Sequence, residues 1–88
     1  KAALAAAVRS IGRECAPAGI RFNCVSPAAI RTPLLEQNDP EMLASQEALY
    51  PMGMGKVEDV ANLVVYLLSD EAKWITTQDY VIDCGGIL

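Results

Sequence analysis

Residues 23–33, Asn23-Cys24-Val25-Ser26-Pro27-Ala28-Ala29-Ile30-Arg31-Thr32-Pro33, hold the groups best placed for chemistry in this sequence. Thr32 carries a hydroxyl that both donates and accepts hydrogen bonds. Ala28 and Ala29 are small enough for a ligand to lie against the backbone beside them. The other candidates are weaker. Cys15, Cys24 and Cys84 are odd in number and widely spaced, and the chain has no Cys-x-x-Cys and no histidine, so a zinc site has few possible ligands. The thiols read instead as buried, small apolar groups. Glu58-Asp59 and Asp70-Glu71 read as helix-end and surface charges rather than as metal ligands, and no metal site is expected. Met52 and Met54 read as packing groups and Trp74 as core. By itself, Lys1 reads as a solvated amine.

The elements that must position residues 23–33 follow from local pattern. A strand is predicted over 20–25, where Ile20, Phe22 and Cys24 alternate with Arg21, Asn23 and Val25. Pro27 is expected to end it, having no N–H for a sheet ladder. Thr32-Pro33 then reads as a helix start, an N-cap hydroxyl followed by proline at the first helical position. Strand, bare turn and capped helix is the order found at the carboxyl edge of α/β sheets, where ligands sit. Asp39-Pro40-Glu41 is a second helix start, and the weak apolar face of the helix to about residue 50 suggests a mobile cover. Pro51-Met52-Gly53-Met54-Gly55 reads as a flexible connection.

Two longer helices frame this region. Over 1–15, Leu4, Val8, Ile11 and Cys15 form one apolar stripe, and Ala16-Pro17-Ala18-Gly19 stops the helix. Over 57–68, Val60, Ala61, Val64, Leu67 and Leu68 form a continuous face, with Leu63, Val65 and Tyr66 pointing elsewhere. A helix greasy on more than one side needs a second partner. A second strand is predicted over 79–83. Two strands joined by a long helical crossover should be parallel neighbours, and a parallel pair alone leaves open edges and uncovered faces. This segment is therefore expected to complete a larger sheet, through upstream chain or by association.

At 88 residues the chain holds at most one domain and is too short for the usual dinucleotide-binding fold. A net charge of −4 argues against nucleic acid and against anionic membrane surfaces. No apolar run is long enough to span a bilayer, and the Ala-rich start lacks a signal-peptide layout, which makes cytoplasmic the default localisation. Because the chain opens at Lys1 inside a helical pattern with no cap before it, the sequence predicts a beginning cut out of a longer helix.

Several stations, in order and over nearly the whole chain, resemble short-chain dehydrogenases/reductases. Lys1-Ala2-Ala3-Leu4 resembles the helix carrying that family's Tyr-x-x-x-Lys pair, with Lys1 as the lysine. Asn23-x-Val25-Ser26-Pro27-x-x-Ile30-x-Thr32-Pro33 resembles the segment after the sixth strand. Glu58-Asp59-Val60-Ala61 and Leu67-Leu68-Ser69-Asp70 resemble the helix before the last strand. Ile75-Thr76-Thr77-Gln78 and Asp83-Cys84-Gly85-Gly86 resemble the family's Ile-Thr-Gly-Gln and Val-Asp-Gly-Gly. Ala28 and Thr77 stand where glycines are usual, Cys84 is interposed before the final glycines, and Pro51 to Gly55 lacks a frequent arginine. An alanine at 28 resists positive φ and so narrows the turn that glycine would allow.

The resemblance implies an α/β fold, with residues 1–88 as the C-terminal portion of a doubly wound Rossmann-type parallel sheet of three to four helices and two parallel strands. It implies an NAD(P)-dependent oxidoreductase that transfers hydride between NAD or NADP and a carbonyl or alcohol substrate. By carry-over Lys1 holds the nicotinamide ribose and lowers the pKa of a catalytic tyrosine. Ile30 bonds the carboxamide through its backbone and Thr32 through its hydroxyl, while Pro27 and Ala28 shape the floor. Residues 34–54 become a substrate lid. The Gly-rich phosphate fingerprint and the catalytic tyrosine and serine do not occur here, so the 88-residue chain alone is expected to be inactive. Its expected partners are the missing N-terminal part of the same domain and further copies in a homo-oligomer, dimer or tetramer. The rival reading is a non-catalytic oligomerisation or interaction module that assembles through the helix 57–68 and the last strand.

Overall fold

The computed structural model describes residues 2–86. Helix α1 (Ala2–Cys15) leads through a short 3-10 turn to strand β1 (Cys24–Pro27) and strand β2 (Ile30–Arg31). Helices α2 (Pro33–Glu36) and α3 (Pro40–Ala48) follow, then strand β3 (Gly55–Lys56), helix α4 (Val57–Leu68) and strand β4 (Asp79–Ile82). β1 and β4 pair in parallel, Cys24 opposite Asp79 through Pro27 opposite Ile82. β2 and β3 form a second, two-residue parallel pair, Ile30 opposite Gly55. The fold is thus α/β with parallel pairing, as expected. The small second pair was not foreseen.

The helices start where their caps predict. Thr32 Oγ1 accepts from the Leu35 amide at 3.3 Å, and Asp39 Oδ1 accepts from the Glu41 amide at 3.3 Å. At the head of α4, the Lys56 amide donates to Asp59 Oδ2 at 2.7 Å, which satisfies one of the donors a helix start leaves open.

The first strand differs from expectation: it runs over 24–27, not 20–25. Residues 21–23 do lie beside 75–78, joined by one backbone bond, Thr77 N donating to Phe22 O at 2.6 Å, and otherwise by side chains. Phe22 N donates to Thr76 Oγ1 at 3.0 Å, and the Asn23 amide spans the Ile75 carbonyl and the Gln78 N–H, both at 3.1 Å. The cause is Thr77, which sits at φ 65° and breaks the extended course of its segment. Regular pairing begins only with Cys24 N donating to Gln78 O at 2.8 Å and ends with Ala28 N donating to Ile82 O at 3.0 Å. In a parallel ladder alternate residues bond to the same neighbour. Cys24 and Ala28 therefore face β4, and the nitrogen of Pro27 faces the opposite edge. Pro27 is the last strand residue, and its missing N–H costs the β1–β4 ladder nothing.

Little of the apolar surface is covered. Among the described residues only Met54, Leu67 and Ala72 are buried apolar side chains. The α1 stripe is open at Leu4 and Ile11, and Trp74, read as core, is 94 % exposed. On α4 the least exposed side chains are Val60, Leu63 and Leu67, a corrected assignment for Leu63, while Val64 and Leu68 stay open along a groove they share with Phe22 and Val25. The cysteines are free but half-buried rather than buried. The radius of gyration is 15.5 Å, against about 12 Å for a compact chain of this length. A parallel pair with so little cover leaves its faces open. No helix among the described residues is long and apolar enough to cross a membrane.

α1 meets the rest of the chain at Gly12, the one buried residue of that helix. A Cβ there would stand 2.7 Å from Thr77 Cγ2 and 3.4 Å from Phe22 Cβ. Gly12→Ala should therefore destabilise the protein by about 1–3 kcal/mol, as overpacking does. Thr77→Gly relieves both the left-handed backbone and the clash, so the double variant should recover most of that loss. A double-mutant cycle by denaturant unfolding measures this coupling, and simple additivity would refute the contact.

Candidate functional site

The parallel strands β1 and β4 end on the same side, and the turn at Ala28–Ala29 rises from that carboxyl edge. Gly55 N donates to Ala29 O at 3.2 Å, which opens the β2–β3 pair. Because the Ala29 carbonyl faces β3, the N–H and C=O of Ile30 point away from it. Ile30 thus presents one backbone donor and one backbone acceptor on the side that β3 does not occupy. Two residues on, Thr32 uses its hydroxyl oxygen as a helix cap toward Leu35 N, which leaves the hydroxyl proton free to donate. Residues that offer a donor, an acceptor and a hydroxyl in this order suit a primary carboxamide.

A groove of about 700 Å³ lies beside the turn, lined among others by Ala28, Ile30, Tyr50, Met54, Asp83 and Cys84. Of the sequence-derived site residues, Ala28 and Ile30 line it, whereas Pro27 ends β1 beneath it and Thr32 caps α2 beyond it. Lys1 lies outside the described residues. Ala28 does not have positive φ; the non-glycine residues that do are Thr77 and Cys84, at 65° and 47°. The alanine at 28 therefore sits in the turn without left-handed strain, contrary to the expected narrowing.

Residues 34–54 are tied down at several points. Arg31 reaches Glu47 at 3.1 Å and Glu36 at 3.9 Å. The other Glu47 oxygen lies against Gly53, where a Cβ would stand 2.6 Å from it. Tyr50 accepts from Ala29 N at 3.4 Å, and Cys84 Sγ donates to Gly53 O at 3.8 Å. Sequence reading missed Arg31, Glu47 and Tyr50. Their partners lie 16 and 21 residues away, so no local pattern signals them.

A family model described as enoyl-(acyl carrier protein) reductase matches residues 1–86. The chain is 38% identical over 91 residues to 3beta-hydroxysteroid dehydrogenase 1 of Eggerthella lenta, covering all of this chain and 35% of that protein. It superposes on a 3-oxoacyl-[acyl-carrier protein] reductase from Brucella melitensis with a TM-score of 0.92 at 30% identity, over 99% of this chain and 33% of that one. A second reductase of that name from the same organism, solved with bound NAD, gives 0.85 at 30% identity, over 99% of this chain and 31% of that one. The chain spans about a third of the length of the relatives it matches.

Both partners of the Arg31–Glu47 pair are close to half exposed, 43% and 46%, so removing it should change global stability by less than about 1 kcal/mol. Its effect should be local. Glu47→Gln should speed hydrogen exchange in α3 by roughly 2- to 5-fold, and 1 M salt should do the same to the unsubstituted protein, since screening reaches about 3 Å there. Exchange in α3 that ignores both changes would show that the pair holds nothing.

Proposed function

Because this chain belongs to the short-chain dehydrogenase/reductase family, we propose that it is the C-terminal part of a single NAD(P)-binding domain that interconverts a carbonyl and an alcohol. The cofactor, when bound, supplies or accepts the hydride. The observation that carries the reading is the free backbone of Ile30, set beside the Thr32 hydroxyl above the carboxyl edge of β1 and β4. On this reading the Ile30 backbone and the Thr32 hydroxyl orient the nicotinamide carboxamide, and Pro27 and Ala28 form the floor under the ring. Lys1, by family resemblance, holds the nicotinamide ribose. Residues 34–54 cover the substrate and exclude water, a role their multiple tethers to the turn support. The open apolar side chains of α1 and α4 meet the rest of the domain and a second copy in a homo-oligomer.

The 88-residue chain alone should not oxidise NADH or NADPH with any carbonyl substrate; measurable turnover would overturn this division of labour. In the assembled enzyme, Thr32→Ala removes both a helix cap and a hydroxyl donor. It should weaken dinucleotide binding by about tenfold, while Thr32→Ser should stay within about threefold. Equal affinities for all three proteins, measured by the fluorescence of the reduced cofactor, would remove Thr32 from the site.

A further inference from the structure

We propose that Tyr50 is a positioning residue that locks the nicotinamide-side turn to the end of the 34–54 segment, an inference that rests on the oxidoreductase reading above. Two contacts of this half-buried side chain and one of its backbone converge here. Its hydroxyl oxygen accepts the Ala29 amide at 3.4 Å. Its ring lies so close to Gly86 that a Cβ there would stand 2.6 Å from Cδ1 and 2.7 Å from Cε1. Its own backbone joins the turn that leads to Gly53, through Gly53 N donating to Tyr50 O at 3.0 Å.

Ala29 is the residue through which the turn is held on both sides. Its carbonyl takes the Gly55 amide, and its N–H goes to Tyr50. The peptide that joins Ala29 to Ile30 carries the Ile30 N–H, so the orientation of that donor depends on how firmly Ala29 is fixed. Removing the Tyr50 hydroxyl frees the Ala29 N–H, so the Ala28–Ala29 peptide can rock about the Ala29 Cα that it shares with the next peptide, leaving only the Gly55 bond to hold the Ile30 N–H in place. The ring serves a second purpose: resting on Gly86, it anchors the hydroxyl to the turn that follows β4, which itself ends opposite β1. A tyrosine is required for both. A phenylalanine keeps the ring and loses the acceptor, and an alanine loses both.

The test uses the assembled enzyme, this chain together with the rest of its sheet, and two probes. NADH and NADPH report the nicotinamide side; ADP-ribose, or its 2′-phosphate, lacks that ring. Tyr50→Phe should weaken binding of the preferred dinucleotide by about 3- to 10-fold, the worth of one hydrogen bond. Its affinity for the ring-free fragment should change by less than about twofold. Gly86→Ala, which pushes a methyl into the ring, should show the same selective loss. Unchanged dinucleotide affinity in Tyr50→Phe overturns the proposal, and so does an equal loss for both probes, which marks a merely structural residue. If the unsubstituted enzyme binds neither dinucleotide, the oxidoreductase reading falls first and this one with it.

Discussion

The register of β1 against β4 is the constraint on which the rest depends. It joins residues 55 apart, Cys24 to Asp79 through Pro27 to Ile82. Closing so long a loop costs conformational entropy that a four-residue ladder offsets poorly. The side-chain bonds of Phe22 and Asn23 to 75–78 lengthen the seam without lengthening the strand. Ser26 adds another tie, donating to Asp79 at 2.7 Å across the pair. Slip this register by one residue and the Ala28 amide loses Ile82, and with it the place where the turn begins.

Everything between the two strands hangs from that seam. The chain leaves β1 through a turn of small residues and pairs briefly with β3. It returns along α4, whose Val60, Leu63 and Leu67 are its least exposed side chains. The short β2–β3 pair matters more than its length suggests. By engaging the Ala29 carbonyl it decides which way the Ile30 backbone points. The proposed site is therefore built chiefly from main-chain groups and one hydroxyl. Such groups keep their chemistry whatever small side chain stands at 28 or 29, which is consistent with the unstrained Ala28.

The exposed surfaces tell the same story from outside. A parallel sheet needs cover on both faces and neighbours at its edges. Here the Pro27 nitrogen faces the free edge of β1, and Leu4, Ile11, Leu68 and Trp74 lie open. The chain spans about a third of its relatives' length, and on the reading proposed above these open surfaces are the ones the rest of the domain would cover.

What can be read from residues 1–88 without coordinates is whatever is decided within a few positions. The helices 2–15 and 57–68, the Thr32 and Asp39 caps and the strand at 79–82 belong here, since propensity, capping and periodicity are local. The family motifs are also local strings, so the resemblance was legible. Tertiary structure alone decided the rest, because distant partners set it. Thr77 in a left-handed conformation moved the start of β1 from 20 to 24. The pairing of Ile30 with Gly55 made two strands where pattern showed none. Trp74 stands open because no described element covers it, a fact that hydrophobicity cannot foretell. Tyr50, ordinary by sequence, gained its place from an amide 21 residues back, and nothing nearer than the folded chain could have brought the two together.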